Sequence, residues 1–436
     1  MTRPFTVVVN DCEAPALHNI RHVRSRNTDY GEANYHVVYD RLVNGLPDRL
    51  TPRQMDWLET LSAVFAADMI CDRGEGDLDW DRSIDLFLPV RDPDFSESLG
   101  SQLQDVFGSL TDDRLVLHFV QESDPVTPPR IRQNPFPANA GGVALLSGGM
   151  DSFVGAVALL DASPQVPLLF VSHSSSGAAS ASQTALRRVL RAASAKSEFP
   201  LFTVEKRNNF PTSEGSQRSR SLLYVGAAAT VAAAVGLKEI FLNENGVMAI
   251  HLPMGEARIG SYSTRTASPQ LLDDMAALAS AALERPIRVR NVLLQYTKPE
   301  VAKLCADLGQ QGVLPETISC WSAGRTREHC GYCAPCMIRR ISCELHSLPD
   351  ATYRNDPFGD DVFVAQNPRA TDNLVHLGGL VRDFRELDDF ELELKYIEVF
   401  SGGSQMSAGE ALALHHRWAD QAAAVLGRHA VSARYI

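Results

Sequence analysis

The chain has 436 residues, of which 44% are hydrophobic and 22% charged, values typical of a globular protein that can bury a sizeable core. Disordered, collagen-like and disulfide-scaffold proteins are excluded on that basis. With 41 basic against 53 acidic residues the net charge is −12, which argues against a general nucleic-acid-binding coat.

No run of about 18 apolar residues occurs, so no membrane span is expected. The opening stretch, MTRPFTVVVNDCEAPALHN, has neither a sustained apolar run nor a small-residue cleavage site. No export signal is expected, and the cytoplasm is the expected compartment.

Residues 1–124 mix strand-like runs (Phe5–Val9, Ser83–Val90, Arg114–Val120) with helical patterns and read as an N-terminal accessory α+β domain. A helix over 51–71 opens on Thr51-Pro52, a cap followed by proline at the first helical position. Residues 125–140 hold Pro125, Pro128, Pro129, Pro135 and Pro137. Prolines this dense lack donors for a ladder or a helix, so the segment reads as an extended linker.

From Gly141 onward, short apolar runs alternate with helical segments. Val143–Leu146, Pro167–Ser172, Pro200–Glu205, Glu239–Asn243 and Ile287–Val292 predict buried strands. Ser152–Leu160, Ser180–Lys196, Arg220–Ala234 and Pro269–Leu283 predict the helices between them. Such alternation implies an α/β fold with a doubly wound parallel sheet and ligands at the carboxyl ends of its strands. Residues 347–436 read as a mainly helical C-terminal region.

After the first of these strands comes Ser147-Gly148-Gly149-Met150-Asp151-Ser152, then an apolar helix. Glycines let backbone approach a ligand closely, and the free N–H groups of a helix start attract phosphate. Ser147 and Ser152 add hydroxyl donors, and Asp151 can hold Mg²⁺. No Gly-Lys-Ser/Thr follows, so this is not a Walker A loop. The motif resembles the PP-loop of N-type ATP pyrophosphatases, which implies an ATP site. That resemblance implies a phosphate-binding role for Lys298, where Thr297-Lys298-Pro299-Glu300 opens a helix, and places His173 and Ser174 beside the adenosine.

A second signal is Cys320, Cys330, Cys333 and Cys336, spaced C-x9-C-x2-C-x2-C. Four thiolates close a tetrahedral site with no open position, so a structural Zn²⁺ is expected, with an iron–sulfur cluster as the alternative. Cys12, Cys71, Cys305 and Cys343 lack partner spacing and read as packed thiols. His415-His416 point about 100° apart on a helix, which makes a shared ion awkward. The acidic run beginning at Glu386 reads as a solvated face.

Together, residues 141–346 resemble the 7-cyano-7-deazaguanine synthase (QueC-like) family. The resemblance implies a PP-loop domain of the adenine nucleotide alpha hydrolase-like type carrying a zinc-binding insert of four cysteines. It implies adenylation of the carboxylate of 7-carboxy-7-deazaguanine, with Asp151, Lys298 and Arg220 in catalysis. The family's deazapurine segment has no clear copy here. Its place is taken by a longer loop in which Glu244, Arg258, Tyr262, Thr264, Arg265 and Thr266 are candidates to read the substrate, above all Glu244, Arg265 and Thr266.

The layout with two extra regions resembles the QueC-like proteins of bacterial anti-phage systems of the Qat and type IV CBASS types. That likeness implies a protein amine as acyl acceptor and a partner protein. The alternatives are ammonia as acceptor, giving a nitrile, and a silent ATP-binding scaffold. A PP-loop enzyme of tRNA thiolation fits poorly, since it needs a further sulfur-carrying cysteine and a basic surface.

Overall fold

The computed structural model describes residues 3–15, 19–25, 33–73, 81–123, 135–174, 177–206, 209–212, 214–215, 217–253, 265–323 and 328–436. Much of the proline-rich linker lies outside the described residues, as do Arg258, Tyr262 and Thr264 of the long loop.

The N-terminal part forms β1 (Arg3–Val9), β2 (Ile20–Val23), β3 (Tyr35–Val38), α1 (Asp40–Val43), α2 (Pro52–Ile70), β4 (Arg82–Val90), α3 (Pro93–Thr111) and β5 (Arg114–Gln121). Four of its strands make a parallel sheet in the order β2-β1-β4-β5. Helix α2 starts as its sequence dictates: Thr51 accepts from Gln54 N while the Gln54 side chain accepts from Thr51 N, and Pro52 follows the cap.

The middle runs β6 (Val143–Leu145), α4 (Met150–Ala162), β7 (Leu169–Ser174), α5 (Gly177–Ala193), β8 (Leu201–Lys206), α6 (Arg220–Ala234), β9 (Glu239–Phe241), α7 (Gly246–Ile250), α8 (Pro269–Leu283), β10 (Arg288–Arg290) and α9 (Lys298–Asp307). Its sheet has the order β10-β9-β6-β7-β8-β3. The five strands from this part are parallel, and β3 arrives from the N-terminal part to pair antiparallel with β8.

Period-two alternation sends neighbouring side chains to opposite faces. Val143 and Leu145 join the core under α6 and α8, which continues into α2 and the N-terminal sheet. Ala144 and Leu146 join the opposite core with Phe153 of α4, Leu186 of α5 and Val301 of α9. Backbones approach closely where α2 crosses α6: a Cβ on Gly226 would meet Leu61 at 2.0 Å.

Buried charge ties the same regions together. Arg82 donates to both Asp68 and Asp113, and Asp68 also accepts from the backbone and hydroxyl of Ser219, the residue that precedes α6. The start of α6 is therefore fixed by a carboxylate on α2.

The C-terminal part forms α10 (Ala334–Leu345), α11 (Asp361–Gln366), α12 (Pro368–Glu386), α13 (Asp389–Lys395) and α14 (Ala408–Leu426). Its core around Trp418 and Phe384 takes in Val247 and Ile250 of α7. Among the described residues no helix is long and apolar enough to cross a membrane.

Candidate active site and metal centre

The chain leaves β6 toward β7 on one side, and returns from α6 to β9 on the other. The strand order thus reverses between β6 and β9, and at such a switch point the loops diverge to leave a crevice. The turn after β6 carries Ser147–Ser152. Gly148 has φ +94°, and a Cβ there would sit 3.3 Å from both Ala179 O and Ser182 Oγ. Only glycine fits that turn without strain. Ser147 Oγ accepts from Gly149 N (3.3 Å) and lies 3.1 Å from Ser152 Oγ. The N-cap of α4 is Gly149, and no side chain caps the first turn, so the helix start is left open to an anion.

Asp151, in the first turn of α4, is buried where β6 and β9 diverge. Its Oδ1 lies 2.8 Å from Lys298 Nζ, and its Oδ2 accepts from Asn245 N (3.2 Å) and Asn245 Nδ2 (2.9 Å). Burial opposes its charge, but Lys298 and these donors overcome it and hold the carboxyl at about 2. The adjoining Glu244 is shifted the other way, well above the ordinary carboxylate range, by burial and by the negative charge of Asp151. Asn245 Nδ2 also reaches Glu244 Oε1 at 3.0 Å. Two acids shifted in opposite directions thus share one amide.

Lys298 opens α9, whose capping box is formed by Thr297 and Glu300. That box is braced by α14: Thr297 Oγ1 donates to Gln421 Oε1 (2.6 Å), and Arg417 Nε donates to Glu300 Oε1 (3.2 Å).

A second group lies at the carboxyl end of β7. His173 stacks on Phe202 at 4.9 Å with 10° between planes and meets the edge of Tyr224. Its Nε2 is buried with no partner, and burial together with the charge of Arg220 lowers the imidazole to about 4. Gln183 Nε2 donates to His173 O (2.9 Å) and Ser147 O (3.2 Å), joining this group to the glycine turn. Arg220, first residue of α6, is solvent-exposed, and its charge acts on His173. Of Ser174 only the backbone, at the end of β7, is described.

The four cysteines converge, with their sulfurs within 4.8 Å of one another. Gly331 makes the intervening turn with φ +90°, where a Cβ would meet Asn355 O at 2.1 Å. Backbone N–H groups of Cys330 and Cys333 donate to the sulfurs of Cys320 (3.3 Å) and Cys330 (3.4 Å). Four buried sulfurs with such donors fit a thiolate-bound metal. The cluster is wired to the glycine turn through two contacts. Arg339 of α10 donates to Thr317 O (3.1 Å) and Leu314 O (2.6 Å), and the next residue, Ile318, donates its N–H to Gly148 O (2.9 Å).

The geometry thus brings Asp151, Lys298 and Glu244 into direct contact and links Ser147 to His173 through Gln183. Arg265 and Thr266 form a short 3-10 turn, Arg265–Ala267, packed against α7, and the charge of Arg265 acts on Asp112 at the end of α3. Asn245, Gln183 and Tyr224 escape the sequence reading. The available signal for Asn245 was its place just past a strand end, beside Glu244.

Residues 141–345 match the profile of the queuosine biosynthesis protein QueC. Over that stretch the chain is similar to the QueC family. Over 148 residues the chain is 30% identical to a 7-cyano-7-deazaguanine synthase of Ralstonia pickettii, covering 32% of this chain and 62% of that protein. The synthase of Ralstonia nicotianae is 31% identical over 150 residues, with the same two shares. That of Legionella pneumophila is 25% identical over 139 residues, covering 31% and 55%. The chain therefore spans about three fifths of the length of the first of these relatives. The phosphate turn, the Asp151 cluster and the four cysteines all fall within the matched residues.

Proposed function

We propose that the QueC-like domain binds ATP and adenylates the carboxylate of 7-carboxy-7-deazaguanine, releasing pyrophosphate, and that an amine then takes the acyl group and releases AMP. The observation that carries this reading is the buried Asp151–Lys298 pair beside an uncapped helix start at the sheet's switch point.

The chemistry follows from what these residues can do. A carboxylate is a poor acyl donor because its leaving group is oxide. Attack of its oxygen on the α-phosphorus forms a mixed anhydride and breaks the bond to pyrophosphate. The amine nitrogen then attacks the acyl carbon, and AMP leaves as the nitrogen loses its proton. The open N–H groups of α4 and the Lys298 ammonium face the charge that builds on the phosphates. Asp151 holds that ammonium at the crevice. When bound by Asp151, Mg²⁺ supplies further neutralisation of the departing pyrophosphate. Neutral His173, with Nε2 unpartnered and aromatic neighbours, suits contact with a purine-like ring. Holding the reactants together supplies much of the remaining acceleration, and no side-chain nucleophile is required.

Glu244, Arg265 and Thr266 are the proposed substrate residues. Zinc at Cys320, Cys330, Cys333 and Cys336 is assigned a structural role, holding the 311–318 segment against Gly148.

As acceptor we propose a protein amine, an N-terminus, in anti-phage defence. The support is architectural: sizeable regions precede and follow the matched residues, and α14 reaches into the site to brace Lys298. Mass spectrometry of candidate partner proteins after incubation with ATP and 7-carboxy-7-deazaguanine tests the acceptor. An acyl adduct on a protein N-terminus supports it, and a free nitrile formed with ammonia overturns it.

A further inference from the structure

The acidic run 386–393 reads from sequence as a solvated face; its acids do lie at the surface, and exposed apolar side chains accompany them through residue 400. Phe390 and Leu394 are i, i+4 neighbours on α13, and Ile397 and Phe400 are i, i+3 neighbours in the 3-10 turn Ile397–Phe400 that follows. They are 68%, 72%, 71% and 57% exposed. The intervening Leu392, Tyr396 and Val399 are buried, with Tyr396 stacked on Phe384 at 5.7 Å. The exposed side chains are therefore one apolar stripe on a firmly seated element, not the outer face of a loose turn.

Acidic residues are interleaved with this stripe along the chain, at Glu386, Asp388, Asp389, Glu391, Glu393 and Glu398, of which Asp389 meets His416 Nε2 at 3.0 Å. Of the cations beside it, Lys395 is paired with Asp383 at 2.7 Å and Arg385 with Asp420 at 3.8 Å. Apolar side chains interleaved with acids call for a partner that supplies apolar contact and positive charge together. A second copy of this chain would set acid against acid, and an anionic bilayer would be repelled.

We infer that the Phe390–Leu394–Ile397–Phe400 stripe docks a basic amphipathic segment of a partner protein. The inference is independent of the proposed reaction, because docking needs no ATP.

The test is fluorescence anisotropy with a labelled leucine–lysine amphipathic peptide and the full chain, without nucleotide. Saturable binding that weakens with added salt is expected, with none for a leucine–glutamate peptide of equal length. Phe390→Ser with Leu394→Ser should weaken binding about tenfold or more, since buried apolar anchors dominate such interfaces. Both positions are exposed, and circular dichroism checks that the fold is kept. Glu393→Lys with Glu398→Lys should weaken binding independently. Equal binding to the parent and the stripe variant overturns the proposal. So does a dimer, or adsorption to phosphatidylcholine vesicles, that the stripe variant abolishes.

Discussion

Lys298 Nζ lies 2.8 Å from Asp151 Oδ1, joining the first turn of α4 to the first residue of α9 across the crevice where the sheet reverses. Neither group is stable there alone. A buried charge without its partner keeps its desolvation cost and loses the compensation, a loss of about 3–5 kcal/mol.

Lys298→Met is therefore expected to destabilise the protein by about 3 kcal/mol at neutral pH in denaturant unfolding. Asp151→Asn with Lys298→Met should cost much less than the sum of the two single changes, because the double variant leaves no stranded charge. Additive losses would show that the pair is not coupled.

Asp112, at the end of α3, offers a pH test. Burial raises its carboxyl to about 6, against the charges of Arg265 and Arg218. For an acid whose folded value is raised, the penalty is absent below the unfolded value, about 3.9. It grows as pH rises to about 6 and is constant above. Asp112→Asn should thus stabilise by about 1 kcal/mol at pH 7.5, a figure discounted for partial exposure, and by nothing near pH 4. The left-handed backbone at this position, φ 61°, suits asparagine too.

The cysteine cluster predicts about one zinc ion per chain by elemental analysis, without the visible absorbance of an iron–sulfur centre. Chelation should lower the melting temperature. It should also weaken ATP binding, because the 311–318 segment contacts Gly148 through Ile318. Unchanged ATP affinity in the metal-free protein would break that structural link.

Gln421→Leu removes the acceptor for Thr297 and is expected to cost about 1 kcal/mol of stability. Because α14 holds the turn that presents Lys298, turnover should fall more than substrate KM rises. A rise in KM alone would mean that α14 does not position the lysine.

Much of the central fold is legible in the sequence, for identifiable reasons. Val143–Leu145 and Glu239–Phe241 are short apolar runs bounded by turns, and Pro269 and Thr297 mark helix starts by chemistry that acts locally. Strand β3 is not legible. Its four residues pair with β8 from far along the chain, and nothing nearby encodes that partner. The parallel N-terminal sheet likewise depends on pairings between distant strands. In the site, Gly148 and the cysteines can be read from spacing, since their geometry is set within a few residues. Asn245 cannot be, because its role exists only once β9 lies beside β6. Arg265 stands out as a candidate substrate residue by its loop composition. The structure places its charge near Asp112, which no local pattern could have shown.

The most direct test of the central claim is pyrophosphate release from ATP by the purified protein, with and without 7-carboxy-7-deazaguanine, beside Asp151→Ala. Release that depends on this acid and is abolished in the variant is the predicted result. ATP binding without release, whether or not the acid is present, would contradict the proposed adenylation.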